Sequence, residues 1–357
     1  MKKIRVGIVG VGVIANAVHI PGYLECDDCE ITAICDINEE RLNKTGDRLH
    51  IPVAARFTDY RDLIKSGLVD AVDVATSNDV HVEISLAALS AGLPVSVEKP
   101  IGMTFMESLE LRNRSEETGL PVFVCFSWRY RDTARYMKQL IASGEIGDIY
   151  HIYVKIIKDS ALWEGRRLEW RFDENRAGTG VLCDLGSHMF DAIRFFGKEI
   201  ESVYCDRGVI VKKRQLLDSD CWAEVTTDDW ANTTCILDGG ANATVTLSRT
   251  AISEENTTEF YVSGSKGTLR LLSQNGAETL YLCSGEDIKT KTFKLLTVPA
   301  EFSGANQSRS FINTVNGIPD EFASDIFAGI KSQAVVDAAK LSSETGKKIL
   351  IEEMFKI

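Results

Sequence analysis

The feature that most constrains this chain lies at its amino end. An apolar run from Lys3 to Val9 delivers Gly10-Val11-Gly12-Val13-Ile14-Ala15, helical character follows from Ala15 up to Pro21, and a second apolar run from Glu30 to Cys35 ends on Asp36. A G-x-G-x-x-A pattern alone is weak evidence. Set between a strand and a helix, and followed by a strand ending in an acid, it specifies a dinucleotide-binding βαβ unit. The glycines permit a tight turn and close approach of backbone N–H groups to a pyrophosphate, whose charge is favoured at a helix amino end. Asp36 is placed to accept hydrogen bonds from the adenosine ribose and to repel a 2′-phosphate, which favours NAD over NADP. Its structural alternative is to cap the helix 38–49. Val13 and Ile14 on the turn, and Ile37 and Arg41 beside Asp36, complete this part of the expected cofactor site.

The alternation continues with a strand Val53 to Phe57, a helix Asp59 to Lys65 and a continuously apolar strand Val69 to Ala75, as in the centre of a parallel sheet. Thr76, Ser77, Asn78 and His81 follow that strand, and ligands of such sheets bind beyond the strand carboxyl ends. After the helix Val82 to Ala91, the strand Val95 to Val97 ends on Glu98-Lys99-Pro100. Pro100 keeps Lys99 out of helical conformation. A charged pair at the end of a buried strand costs desolvation unless something uses it. A helix Thr104 to Thr118 and a strand Val122 to Phe126 complete a doubly wound first domain, residues 1–126.

The second half has a different rhythm. Helix Thr133 to Ser143 and strand Tyr150 to Ile157 precede a polar segment, Asp159 to Arg176. Then Gly178-Thr179-Gly180 leads into a helix on which Asp184, His188 and Asp191 share one face, while Leu185, Met189, Ala192 and Phe196 form an apolar stripe. Six stretches follow with strand character and glycine-bearing turns: Glu201 to Val211, Trp222 to Leu237, Ala241 to Ser248, Glu259 to Ser263, Thr268 to Leu272 and Thr279 to Leu282. Helices Ser308 to Val315 and Ile326 to Thr345 close the chain, the last of them able to pack back on the first domain. The second domain, 127–357, is thus α+β with a large, mostly antiparallel open sheet, and the fold class is α/β overall. The acidic stretch Asp218 to Asp229 reads as a solvated loop and strand start.

A net charge of -12 argues against nucleic acid or an anionic membrane, which need clustered Lys and Arg, so neither is an expected partner. No run approaches the ~18 apolar residues of a membrane span, and no signal peptide is legible. Nine scattered cysteines suit reduced thiols in a cytoplasmic protein. Cys26 and Cys29 form one C-x-x-C without a second ligand pair nearby, so no metal site is expected.

Gly10-x-Gly12-x-x-Ala15, Asp36, Asn78-x-x-His81, Glu98-Lys99-Pro100 and Asp184-x-x-x-His188 together resemble the Gfo/Idh/MocA family, across nearly the whole chain. This chain departs from common family patterns in Ser77 before Asn78, in Thr179 between two glycines, and in Ala15. The resemblance implies a Rossmann domain followed by an open-sheet domain, and hydride transfer between a secondary alcohol of a sugar, sugar derivative or cyclitol and the nicotinamide. His188 is then the candidate base, because imidazole titrates near working pH. Asp184 orients the substrate or polarises the site, and Lys99 binds the developing alkoxide, although either Lys99 or His188 could move the proton. Glu98 and Lys99 also fall within the expected cofactor site. Trp128, Arg129, Trp163, Arg171 and Asp191 are expected substrate contacts. An uncovered sheet face implies a homodimer or homotetramer. Three rivals remain: glycoside cleavage or epimerisation through transient oxidation, a non-catalytic dinucleotide-binding sensor, and an NADP-dependent reductase.

Overall fold

The computed structural model describes residues 3–252 and 256–356. The chain divides into two compact units, one of residues 1–127 with 305–330, the other of 128–304 with 331–357.

The first unit holds six parallel strands, β1 (Ile4–Val9), β2 (Cys29–Cys35), β3 (Arg56–Phe57), β4 (Ala71–Val74), β5 (Val95–Glu98) and β6 (Val122–Cys125), in the order β3-β2-β1-β4-β5-β6. Every residue of β4, β5 and β6 is buried, including Asp73, Ser96 and Glu98, as in the centre of a sheet covered on both faces. Strand order reverses between β1 and β4, so the carboxyl ends of these two strands open the crevice where such sheets bind ligands. Helices are started by side chains that satisfy their free N–H groups. Asn38 accepts from Arg41 N at 2.8 Å, Asp59 from Arg61 N at 2.8 Å, and Thr104 from Glu107 N at 3.2 Å. The cap of the helix Glu39–Arg48 is therefore Asn38, and Asp36 is spared that task. The expected strand Val53 to Phe57 shrinks to β3, preceded by a 3₁₀ turn Val53–Ala55. This edge segment has little to bury, Val53 being 76% exposed.

Residues 305–330 return to the same unit. Ser324 O accepts Val124 N at 2.8 Å, and Phe311, wholly buried in the helix Gln307–Val315, meets Phe123 with ring centroids 5.9 Å apart.

The second unit contains β7 (Ile149–Ile157), β8 (Ile200–Gly208), β9 (Lys213–Gln215), β10 (Trp222–Glu224), β11 (Trp230–Leu237), β12 (Asn242–Ser248), β13 (Thr257–Gly264), β14 (Gly267–Gln274), β15 (Ala277–Ser284), β16 (Lys294–Leu296) and β17 (Ile349–Leu350). Nine of these form one sheet, β16-β15-β14-β13-β7-β12-β11-β8-β17, antiparallel except where β7 and β12 run side by side in the same direction. Strands β9 and β10 form a separate hairpin. Alternation is strict in the centre: Ala243, Val245 and Leu247 point into the core while Asn242, Thr244 and Thr246 point away. Tyr153, Lys155, Thr244, Thr246, Glu259 and Tyr261 line a shallow depression. Threonines, tyrosines and charges thus occupy the outward face at this depression, in place of a continuous apolar surface. The expected strand Trp222 to Leu237 breaks at 225–229, because Thr227, Asp228 and Asp229 are buried at 0%, 1% and 0% exposure and serve as hydrogen-bond acceptors and donors instead. That acidic stretch is solvated only in its first half.

Candidate functional site

At the end of β1 the backbone turns through Gly10, with φ of 89°. A Cβ there would lie 2.6 Å from Ala75 O, so only glycine fits between β1 and β4. A Cβ on Gly12 would meet nothing within 4 Å, which leaves open space against the turn. Ala15 is fully buried and the chain then makes a π-helical segment, Ala15–His19, before the α-helix Ile20–Leu24 with Pro21 in its first turn. Asn16 Nδ2 donates to Val11 O at 2.7 Å and Gly12 O at 2.9 Å, holding the turn from below. The open space, the glycines and the helix amino end fit a pyrophosphate.

Asp36 closes this site. Its Oδ2 accepts Val11 N at 3.0 Å and Arg41 Nε at 2.8 Å, and its Oδ1 accepts Asn38 N at 2.8 Å and Arg41 Nη2 at 2.7 Å. The carboxylate is buried but the Arg41 side chain is 47% exposed, and its hydrogen bonds to Asp36 hold the guanidinium above its ordinary pKa. Val13 and Ile37 are 86% and 85% exposed, consistent with apolar edges that a bound adenosine would cover.

Beyond β4, Thr76 and Ser77 are half-buried, and Asn78 is buried in a 3₁₀ turn, Asn78–Val80, for which Ser77 is the capping position. His81 differs from the expectation that it lines the site. It is 1% exposed, with Nδ1 2.8 Å from Pro100 O and Nε2 3.3 Å from Thr76 O. Burial lowers its pKa, and its two ring nitrogens lie against backbone oxygens at the two strand ends, where a neutral ring donates to one of them. Glu98 is buried, Lys99 is half-buried, and Glu98 Oε2 accepts Lys99 N at 3.2 Å. The other Glu98 oxygen lies 2.9 Å from His19 Nε2, while His19 Nδ1 lies 2.8 Å from Asp73 Oδ2. Sequence reasoning missed His19. Its one signal was an imidazole in a mostly apolar helix, four residues past Ala15. His19, Asp73 and Cys125 together are metal-ligand types, and both imidazole nitrogens engage carboxylates at hydrogen-bond length.

In the second unit, Asp228 shapes the approach to the helix that carries Asp184 and His188. Its carboxylate accepts Gly180 N at 2.9 Å, Leu182 N at 3.0 Å and Arg207 Nη1 at 3.2 Å, and its carbonyl accepts Val181 N at 3.1 Å. A Cβ on Gly180 would fall 1.8 Å from Asp228 O, which explains that glycine. Thr179, where the family pattern often has glycine, accepts Cys183 N at 2.9 Å through its hydroxyl. The chain runs through a π-helical segment, Leu182–Gly186, into the α-helix Ser187–Phe195. Such segments recur at functional sites because they re-aim side chains. Asp184 is exposed and His188 half-buried, while Leu185, Met189, Ala192 and Phe196 are buried as the apolar stripe requires.

Asp191 does not continue the polar face. It is fully buried, and its Oδ2 and Oδ1 accept Arg129 Nε at 2.8 Å and Nη2 at 2.6 Å. A carboxylate engaged this way is a brace within the unit, so Asp191 and Arg129 are withdrawn as substrate contacts. Trp128 is buried too, edge-on to Phe260 at 5.3 Å and covered by the Arg131 guanidinium at 3.8 Å. Trp163 remains 56% exposed, its Nε1 donating to Asp159 at 3.0 Å. Arg171 is 40% exposed and lies over Trp170 at 4.4 Å. Behind this segment, Arg166, Arg214 and Arg249 surround the Phe172 ring at 4.9, 4.1 and 4.7 Å, and Arg249 pairs with buried Asp229 at 2.8 Å.

A glycine turn at the switch point of a 3-2-1-4-5-6 parallel sheet, joined to an open-sheet unit, defines a dinucleotide-binding oxidoreductase architecture. Residues 4–126 match the oxidoreductase family with an NAD-binding Rossmann fold, and residues 134–270 match the Gfo/Idh/MocA C-terminal domain. The chain belongs to the Gfo/Idh/MocA family. Myo-inositol 2-dehydrogenase of Thermotoga maritima is 26% identical over 354 residues, 98% of this chain and 99% of that one. Levoglucosan dehydrogenase of Pseudarthrobacter phenanthrenivorans is 26% identical over 287 residues, 75% of this chain and 73% of that one. Among solved structures, the oxidoreductase domain protein from Kribbella flavida has a TM-score of 0.88 at 24% identity, covering 98% of this chain and 100% of that one. A levoglucosan dehydrogenase in complex with NADH and L-sorbose has a TM-score of 0.86 at 21% identity, covering 99% and 100%. At these identities the structural likeness speaks for the fold alone.

Proposed function

We propose that this oxidoreductase is a sugar or cyclitol dehydrogenase that prefers NAD over NADP. The observation that carries the reading is the set of polar groups at functional positions: the Gly10–Gly12 turn with its open space, Lys99 at the end of β5, and exposed Asp184 with half-buried His188 on the second unit's helix. The named relatives, a myo-inositol and a levoglucosan dehydrogenase, support a hydroxyl-rich substrate.

Bound at Gly10, Gly12, Val13, Ile14 and Asp36, the dinucleotide would supply the hydride acceptor at its nicotinamide. Ile37, Arg41, Thr76, Ser77, Asn78 and Glu98 would flank it. Lys99 would donate a hydrogen bond to the alcohol oxygen and stabilise negative charge as the proton leaves. His188 would take that proton, with Asp184 orienting the ring or the substrate. Arg171 and Trp163 stay in the proposal as substrate contacts, because both present exposed side chains. Asp36 supports NAD by the charge it would set against a 2′-phosphate.

The outward sheet face, with Tyr153, Tyr261 and its threonines, is the proposed homo-oligomer interface. Free thiols at all nine cysteines fit the reducing conditions of a cytoplasmic protein. Among the described residues no helix is long and apolar enough to cross a membrane.

The test is NAD-linked oxidation of a panel of inositols, aldoses, anhydrosugars and sugar acids, with NADH and NADPH titrated in parallel. Turnover of one class with tighter NADH binding is the expected result. Tightly held NAD without net reduction of added cofactor would instead favour transient oxidation of a glycoside. No activity across the panel would favour a sensor.

A further inference from the structure

The mechanism proposed above leaves one buried charged cluster unused. His19 is 1% exposed, and each ring nitrogen faces a carboxylate: Nδ1 to Asp73 of β4 at 2.8 Å, Nε2 to Glu98 of β5 at 2.9 Å. A neutral imidazole has one N–H and could donate to only one of them, leaving a lone pair against a carboxylate oxygen. Two carboxylates with no proton between ring and oxygen would be strongly unfavourable at 0% and 9% side-chain exposure. The arrangement is therefore that of an imidazolium with both N–H groups donating.

The neighbours agree with that reading. Gln307 places its amide nitrogen 3.2 Å from His19 Nε2, while its Oε1 is buried without a partner. With the amide turned over, its oxygen would face the protonated ring nitrogen, a choice the heavy atoms alone do not make. Ser308, on the same returning helix, donates to His19 O at 3.0 Å. His81 and Lys99 border the cluster on the Glu98 side, and among the described residues the other titratable groups facing it include Tyr23 and Cys125. Burial and the nearby carboxylates push both well above their ordinary values, so both stay neutral. Burial opposes charge on His19 as well, but the charges and hydrogen bonds of Asp73 and Glu98 outweigh it and raise its pKa to about 10.

His19 sits at the end of the π-helical segment that starts directly after the glycine turn. Glu98, which it holds by one oxygen, accepts the backbone N–H of Lys99 with the other. We propose that His19 is a positioning residue, a buried imidazolium strut that ties the dinucleotide helix to Glu98 and so fixes the backbone from which Lys99 acts. The strut rests on the reading of Lys99 as a catalytic residue. It adds that the lysine is held from the cofactor side of the domain, by a group that touches neither substrate nor cofactor.

Two measurements test this. The first uses the unmodified protein: ¹⁵N NMR of the imidazoles at about pH 8.5, between the ordinary histidine value and the raised one. One of the five histidine rings is expected to carry protons on both nitrogens, and five neutral rings would overturn the proposal. The second compares His19→Gln, Glu98→Gln and the double variant, with Lys99→Met as reference. NADH affinity is read by fluorescence, melting temperature by calorimetry, and kcat and KM with the best substrate of the panel. His19→Gln should lower kcat roughly 10- to 100-fold, with the substrate KM and NADH affinity moved far less, as expected for a misplaced catalytic group. The double variant should be no slower than the worse single one, because both act through one contact.

A His19→Gln protein that folds and turns over like the wild type, beside an inactive Lys99→Met, would sink the strut and leave the lysine reading standing. A fully active Lys99→Met would sink both. Additive losses of kcat in the double variant would show that His19 does not act through Glu98. If His19→Gln fails to fold, Glu98→Gln alone carries the kinetic test. It removes the charge while keeping the shape, and wild-type kcat there overturns the proposal.

Discussion

Removing Asp191 separates a structural role from a substrate-facing one. The pair it forms with Arg129 has two nearly parallel hydrogen bonds of 2.6 and 2.8 Å, and the side chains are 1% and 10% exposed. Water cannot replace the lost partner at that depth. Asp191→Ala would leave the Arg129 guanidinium buried and uncompensated, a loss of about 3–5 kcal/mol for truncation of one member of a buried ion pair. For a unit of this size that corresponds to a drop of roughly 6–20 °C in melting temperature. Asp191→Asn keeps the shape but not the charge and should lose most of the same stability. The pair itself contributes less than either truncation implies, because its formation carries a desolvation cost. Arg129→Met combined with Asp191→Leu should therefore melt well above the sum of the single losses, a coupling a double-mutant cycle in urea measures directly. Differential scanning calorimetry of these variants beside the wild type is the assay. An Asp191→Ala protein melting within about 1–2 °C of the wild type, with a raised substrate KM, would refute the reasoning and return Asp191 to the substrate.

Other perturbations have outcomes of comparable sharpness. His188→Ala or Lys99→Ala should lower turnover by orders of magnitude while leaving NADH affinity nearly intact, and wild-type turnover in either would remove it from the mechanism. Gly10→Ala must adopt φ near 89° and press a methyl on Ala75 O, so NADH fluorescence titration should show at least a tenfold weaker complex. Asp36→Ala removes the group set against a 2′-phosphate while freeing Arg41, and the ratio of NADH to NADPH affinity should fall; an unchanged ratio would place the preference elsewhere. His19 has a folded pKa raised above the ordinary 6.5 to about 10, so its stabilising contribution is complete below about pH 6.5 and declines as pH rises towards 10. Urea midpoints compared at about pH 7 and 9 should show that decline, at up to about 1.4 kcal/mol per pH unit, and His19→Gln should flatten it.

The parts of this fold that read directly from sequence are those set by local chemistry. Strand β6 is apolar throughout, and β4 apolar but for Asp73, because both faces are covered, and Thr104 and Asp59 announce helices because a side-chain oxygen must meet a free N–H. The glycine turn was legible for a similar reason: one backbone angle and one close approach to Ala75 O admit no other residue at position 10. Widened helical turns leave no such mark. Neither Ala15–His19 nor Leu182–Gly186 differs in composition from an α-helix, since the extra residue per turn is a response to packing.

Charges obeyed a second rule, in which local pattern says where an acid can point and distant residues decide whether it stays wet. Asp184, His188 and Asp191 fall on one face by period alone, yet Asp191 is claimed by Arg129, which lies 62 residues earlier in the chain. The run ending in Asp228 and Asp229 reads as solvent-exposed, but Gly180, Leu182, Arg207 and Arg249 draw both carboxylates inside. His19, Asp73 and Glu98 are scattered over 79 residues and meet only because β4 and β5 end side by side. In each case burial of a carboxylate demands a cation or several N–H groups, and the sheet order brings them together. Asp184 and His188 escape that burial, one exposed and the other half-buried a helical turn away, and an accessible acid beside an accessible imidazole is what makes them the candidates for chemistry.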